Sequence, residues 1–188
     1  MLSCGSQGNT ILFDTKVVYT EVKTIHSFYY SSTHPEIFLI TNTASDLIER
    51  KDKIYINNNA YFLAMKDKSI NYGECSALTK DNPVIYNFKV ATLKVSFNNL
   101  ECTKIILTGK RSNYAIEILV SEDNAINNAN LINLNFNTGN QPVAIKGLLV
   151  KIDEVAYLGK ERVERNWLTY VKTEKTNREL DIDLNRFK

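Results

Sequence analysis

An all-β fold is predicted: an antiparallel β-sandwich of jelly-roll type, with one or two short helices and extended terminal arms. Two observations carry this. From Val84 to Tyr157, apolar residues alternate with polar ones: Leu93, Val95 and Phe97 skip Lys94 and Ser96, Ile116 and Ile118 skip Glu117, Ile132, Leu134 and Phe136 skip Asn133 and Asn135. Period two is the signature of strands with one buried face. Between these runs sit Asn98-Asn99, Thr108-Gly109-Lys110, Glu122-Asp123-Asn124 and Thr138-Gly139-Asn140, all turn formers.

The elements follow in order. Residues 1–10 are polar and read as a loop or arm. Ile11–Ile25 is rich in β-branched residues and predicts one long strand or two short ones. Phe28, Tyr29 and Tyr30 follow in a row, so alternation cannot place all three on one face. On a packing reading, Phe28 and Tyr30 are core and Tyr29 covers an edge. On a functional reading they form a contact surface, because Tyr is favoured at interfaces. Glu36–Thr41 reads as a strand. Thr43–Arg50 reads as a short helix, with Thr43 or Ser45 as cap and Glu49 completing a capping box. Lys53–Ile56 and Ala60–Met65 form a hairpin around Asn57-Asn58-Asn59. Lys66–Pro83 is a polar connection, and the place for a sub-boundary if there is one.

Central strands are expected at Val84–Phe88, Val90–Phe97, Lys104–Thr108, Tyr114–Val120, Leu131–Phe136 and Val143–Tyr157, the last bent or bulged at Gly147. From Lys160 the chain becomes charged. Val163, Trp167 and Tyr170 or Val171 fall at helical spacing and predict a helix laid on the sheet, while Trp167–Val171 alone also reads as a strand. Leu180, Ile182 and Leu184 alternate and predict a final strand. The expected organisation is one domain, residues 1–188, with arms 1–25 and 160–188 and the sub-boundary within 66–83.

The totals suit a globular chain that can bury a core unaided: 188 residues, 44% hydrophobic, 23% charged. A net charge of +2 gives no reason to expect nucleic acid or an anionic membrane as partner. Composition is skewed to 22 Asn, 18 Ile and 17 Lys, with only 7 Gly, so turns are expected to run through Asn. Cys4, Cys75 and Cys102 form no close pair, which argues against disulfides and a structural zinc site. Cys102 is expected to be a buried, inert thiol. Residues 1–8 lack the apolar stretch of a secretory signal, though Leu2-Ser3-Cys4-Gly5 resembles the end of a lipoprotein signal, in which the Cys is lipidated.

Catalytic chemistry is not legible. His26 lies at a strand end and His34 before Pro35, and neither belongs to a nucleophile motif. No phosphate loop, HExxH or Gly-x-Ser-x-Gly occurs. Ser121-Glu122-Asp123-Asn124 offers oxygen ligands but lacks the spaced acidic repeat of a calcium loop, and reads as a turn. The expectation is a protein that is not an enzyme, with no cofactor and no metal. Its candidate interaction residues are Phe28, Tyr29, Tyr30, Trp167 and Tyr170.

Tyr114-Ala-Ile-Glu-Ile-Leu-Val-Ser-Glu-Asp-Asn, followed by Gly147-Leu-Leu-Val-Lys-Ile, resembles the discoidin or coagulation-factor type C family. That resemblance implies a jelly-roll whose end loops bind sugars or lipids. It covers under a third of the chain; the Trp expected after the turn is absent, and Val150-Lys151-Ile152 replaces the aromatic-basic run. The chain as a whole is similar in character to small structural proteins of tailed bacteriophages. That similarity implies a virion connector, tail-ring or capsid accessory protein. It would be a homo-oligomer contacting other virion proteins, without nucleic-acid specificity or a membrane, and assembled in the host cytoplasm. The alternative is a carbohydrate-binding or adhesion module on a bacterial cell surface.

Overall fold

Eleven strands make up nearly all of the regular structure in the computed structural model. It describes residues 9–44, 52–56, 59–66, 69–74, 85–109, 114–122, 126–129, 131–132, 136, 138, 143–158 and 161–187. The strands are β1 (Asn9–Glu21), β2 (Thr24–Tyr30), β3 (Ile37–Ala44), β4 (Asp52–Ile56), β5 (Asn59–Lys66), β6 (Ser69–Glu74), β7 (Tyr86–Phe97), β8 (Leu100–Gly109), β9 (Tyr114–Ser121), β10 (Leu148–Leu158) and β11 (Glu161–Ile182). A 3-10 turn, Leu184–Phe187, ends the described chain. The all-β expectation holds.

The strands hydrogen-bond into one sheet, without the strand order of a jelly-roll. The hydrogen-bonded order is β6-β5-β4-β3-β2-β1-β11-β10-β9-β8-β7. Consecutive strands are neighbours throughout, except that β6 and β7 lie at opposite ends and β1 meets β11. A jelly-roll needs strands that cross between two sheets, and this order has no such crossing. The segments read as arms, 1–25 and 160–188, contain β1 and β11, which lie side by side in mid-order.

Local chemistry explains the other differences. The helix expected after Lys160 is a strand, β11, which holds no Ala and carries the strand formers Val163, Trp167, Thr169, Tyr170, Val171 and Thr173 through its middle, so the strand reading of Trp167–Val171 holds. Where a strand was expected at Leu131–Phe136, the described residues make helical bonds, with Leu131 N–H on Asn128 O, Ile132 N–H on Ala129 O and Phe136 N–H on Ile132 O. Ile132 and Phe136 are four apart and both buried, so helical spacing won over alternation. The strands expected at Val84–Phe88 and Val90–Phe97 merge in one strand, β7, from Tyr86, with a register shift between Val90 and Lys94. The connection Lys66–Pro83 contains β6, paired with β5. β10 begins at Leu148, not Val143. The expected helix after Thr43 lies mostly outside the described residues, with Thr43 and Ala44 in β3. Asn98 and Asn99, between β7 and β8, both adopt positive φ, as Asn tolerates in a tight hairpin.

The chain forms two compact units. The first comprises residues 1–18, 24–75 and 171–188. Its core is Ile11, Phe13, Ile37, Leu39, Ile54, Ile56, Leu180 and Ile182, with Tyr29 and Leu184 packed against it. The second comprises residues 19–23 and 76–170. Here Ile105, Ile118 and Ile152 form one row across β8, β9 and β10, and all three are buried. Ala129, Leu131, Ile132, Phe136 and Val143, from the segment between β9 and β10, are buried with them.

That segment is pinned by polar groups. Asn128 is fully buried. Its Nδ2 donates to Tyr19 Oη at 2.7 Å, and its Oδ1 accepts from Leu149 N–H at 2.6 Å. Tyr19 Oη donates in turn to Leu149 O at 2.8 Å. Leu149 adjoins a register shift in the β9–β10 ladder, so two side chains satisfy the backbone beside a bulge. Gly147 N–H donates to Asn127 Oδ1, and Gly147 O accepts from the backbone N–H of Asn128 and Ala129.

Candidate interaction surface

The five candidate residues fall into two groups. Phe28, Tyr29 and Tyr30 lie in β2 of the first unit. Phe28 is buried. Tyr30, opposite Phe38 in the ladder, stacks on it, and Phe38 stacks on Tyr55 with centroids 4.4 Å apart. Tyr29 points to the other face, between two cations: the Arg178 guanidinium is 4.7 Å from its ring centre and Lys16 Nζ is 6.0 Å. Arg178 also pairs with Asp52 at 3.3 Å. The row is half-buried and internally paired.

Lys16 also holds Glu174 at 2.7 Å, and Lys172 holds the same carboxylate at 2.6 Å. Those two hydrogen bonds, Lys16 first, lower the Glu174 pKa to about 2. A depressed carboxylate stabilises the fold above its unfolded pKa and loses that contribution as pH falls through the folded value. Glu174 therefore contributes fully above about pH 4.5, and its contribution disappears toward pH 2. An NMR titration of the Glu174 carboxyl is expected to give a midpoint near 2, and Glu174→Gln should flatten the acid limb of the stability profile in that window. A midpoint near 4.5 would show that the lysines do not hold it in solution.

Trp167 and Tyr170 lie in β11 of the second unit. In the β10–β11 ladder Ile152 faces Leu168 and Asp153 faces Asn166, so Trp167 is the extra residue of a bulge. Bulges re-aim side chains. Here the indole stacks on Phe136, with centroids 6.0 Å apart, and its N–H donates to Glu154 Oε2 at 3.2 Å. Phe136 meets Tyr86 edge-on at 5.7 Å, and the Tyr86 and Tyr114 hydroxyls are 3.4 Å apart. An aromatic shelf results in which Phe136 and Tyr86 are buried and Trp167 and Tyr114 are half-buried, with one carboxylate beside the indole. Tyr170 packs edge-on against Tyr19 instead, at 6.2 Å.

Sequence reasoning missed the feature beside the shelf. β11 has 22 residues and β1 has 13. β10 pairs with β11 from Glu161 to Thr169. Thr10 bonds Asp181 and Lys16 bonds Glu174, so β1 runs antiparallel along the later part of β11, and its end at Glu21 comes level with Tyr170. Among the described residues, only β10 and β1 neighbour β11 in the sheet. Glu161–Leu168 is therefore paired on one side, with no strand on the other among the described residues. Glu161 to Arg165 are all exposed. The signal that could have found this is strand length: a strand much longer than one of its neighbours leaves an edge.

Ion pairs line the face of this unit that carries Glu117 and Asp153. Glu117 accepts from Lys104 and from Arg162, each at 2.7 Å, and Arg162 also pairs with Glu164. Asp153 takes Lys151 at 2.6 Å and Asn166 Nδ2 at 2.9 Å. Glu122, in the turn read as a poor calcium loop, accepts from Lys94 and Thr103, which lowers its pKa. No cluster of three metal-binding side chains occurs among the described residues. Cys102 is buried, and burial pushes its thiol pKa up. Cys4 and Cys75 lie outside the described residues. His34 rests 3.2 Å from Glu36 in a loop. No helix among the described residues is long and apolar enough to cross a membrane.

No family model and no curated protein matches the chain. Among solved structures it is similar to a LolA superfamily protein from Nitrosomonas europaea, at 8% identity and a TM-score of 0.32, over 90% of this chain and 87% of that one. At that score the likeness carries no argument about fold or function. The expectation of a tailed-phage virion protein is corrected here, and so is the alternative of a discoidin-like sugar-binding or adhesion module. Neither class is matched by a family model or a curated protein.

Proposed function

We propose that this chain is a non-catalytic binding module that takes an extended polypeptide segment as an added strand along the free side of β11. The observation that carries the reading is the unpaired side of Glu161–Leu168 beside the aromatic shelf. A strand edge offers a row of backbone donors and acceptors that an extended peptide satisfies without specific side chains, while pockets beside it supply selectivity. Trp167, held by Phe136 and Glu154, is that selective element. An aromatic face with a carboxylate at its rim favours a cationic or apolar side chain.

The test is selection of binders from a displayed random nonapeptide library, followed by amide hydrogen exchange on the complexes. Protection is expected at alternate amides within Glu161–Leu168, and Trp167→Ala should weaken the selected peptides about tenfold or more, as loss of an aromatic anchor does. Binders that protect only other strands would overturn the reading.

A further inference from the structure

The fully exposed part of the free stretch Glu161–Leu168 reads Glu161-Arg162-Val163-Glu164-Arg165, residues 166–168 being half-buried. We propose that this segment pairs with the same segment of a second copy, antiparallel and two-fold symmetric about Val163, so that the sheet continues from one chain into the other. The inference rests on the free side of β11 being the recognition surface, and it names the partner.

Three steps support it. A two-fold axis between identical antiparallel strands passes through one residue and its own copy, because residues facing each other across a regular ladder both turn the same backbone edge outward. Within this stretch the axis can fall on Arg162, Val163 or Glu164. Centring on Arg162 sets Arg against Arg, and centring on Glu164 sets Glu against Glu. Centring on Val163 sets Glu161 against Arg165 of the copy, Arg162 against Glu164, and Val163 against itself, all favourable. Opposed charges across a ladder stabilise and like charges destabilise, so the pattern selects one register.

Charge on an edge strand usually blunts it against unwanted pairing. A blunting pattern repels a copy of itself, whereas this one attracts at every position. Val163, 46% exposed in the single chain, gains an apolar contact on the axis. The side-chain pattern also divides cleanly. Arg162 and Glu164 lie on one face, where they already meet each other and Arg162 meets Glu117. Glu161, Val163 and Arg165 lie on the other. The five paired residues stop short of Tyr170, where β1 takes over that side.

Sedimentation equilibrium across protein concentration and salt tests this, with three variants of exposed residues. The wild type is expected to dimerise, more weakly as salt rises. Arg165→Glu turns both Glu161–Arg165 pairs of the dimer into opposed carboxylates and should weaken association at least tenfold. Adding Glu161→Arg to that variant restores opposite charges and should restore the dimer. Val163→Lys places two like charges on the axis and should abolish it. Circular dichroism of each variant should match the wild type, since these side chains are exposed. A chain monomeric at all concentrations, or a dimer indifferent to Arg165→Glu and Val163→Lys, overturns self-pairing. Peptide protection of Glu161–Leu168 in a monomeric chain would leave the strand-addition reading standing while removing this one.

Discussion

Gly147→Ala is expected to destabilise the protein by roughly 3–5 kcal/mol, combining backbone strain with a steric clash. Gly147 has φ of 137°, a region that residues with a Cβ scarcely enter. A Cβ built there would lie 2.3 Å from Ser121 O and 2.9 Å from Glu122 Cα. Both atoms are backbone, so no rotamer change relieves the clash. Gly147 also enters β10, and its two backbone groups hold Asn127, Asn128 and Ala129. Relief by moving Gly147 would therefore pull the covering segment off the sheet. Set against a typical total of about 5–15 kcal/mol, the loss is large. For a chain of this size it corresponds to a fall in Tm of roughly 6–20 °C. Urea unfolding with a shared slope checks it. A change under about 1 kcal/mol would mean that the turn relaxes without strain.

Gly147 also shows what the sequence made legible. A glycine inside a long apolar run marks a bend or bulge, and the structure puts one there. Strand existence was legible wherever alternation was clean, as in Ile116–Val120. It failed where a bulge shifts the phase. Trp167 is an extra residue that shifts the phase, so that Val163, Trp167 and Tyr170, four and three apart, imitate a helix although all three lie in a strand. The register shift after Leu149 likewise makes Leu148, Leu149 and Val150 all buried, which erases alternation. Ile132-Asn133-Leu134-Asn135-Phe136 failed in reverse, since its apolar residues satisfy both periods and only the tertiary setting chooses. Strand order was not legible, because periodicity reports which face of a strand is buried and is silent on order.

The candidate residues were partly legible for the same reason. Aromatic composition singled out Trp167, and the structure places it on a shelf beside the open edge. The same criterion chose Phe28 and Tyr30, which the ladder turns toward one face, where Phe28 is buried and Tyr30 stacks on Phe38. The free edge itself depends on the relative lengths of β1 and β11, strands about 150 residues apart in sequence, and no local pattern encodes that. The charge inversion about Val163 was present in the sequence throughout. It gains meaning only once Glu161–Arg165 is known to be a strand with one side open.

Asn128→Leu is expected to cost about 2–4 kcal/mol, although leucine nearly matches asparagine in shape and suits a buried site. The reason is what is left behind. Leu149 N–H loses the Oδ1 acceptor 2.6 Å away, and Tyr19 Oη loses the Nδ2 donor at 2.7 Å, both in a buried setting. The amide orientation follows from chemistry: a backbone N–H can only donate, so the oxygen faces Leu149 and the nitrogen faces the tyrosine. Tyr19→Phe removes the hydroxyl that donates to Leu149 O and accepts from Asn128. It should cost less, about 1–2 kcal/mol, because the ring packing survives. The two changes belong to one network, so their effects should not add. A double-mutant cycle should show a coupling of about 1 kcal/mol or more, the double variant being more stable than the sum predicts. Additive effects would show that the two side chains act on Leu149 independently. Amide exchange offers a second readout. In Asn128→Leu the Leu149 amide should lose protection ahead of Ile116 and Ile118 in β9, because the covering segment opens before the sheet does.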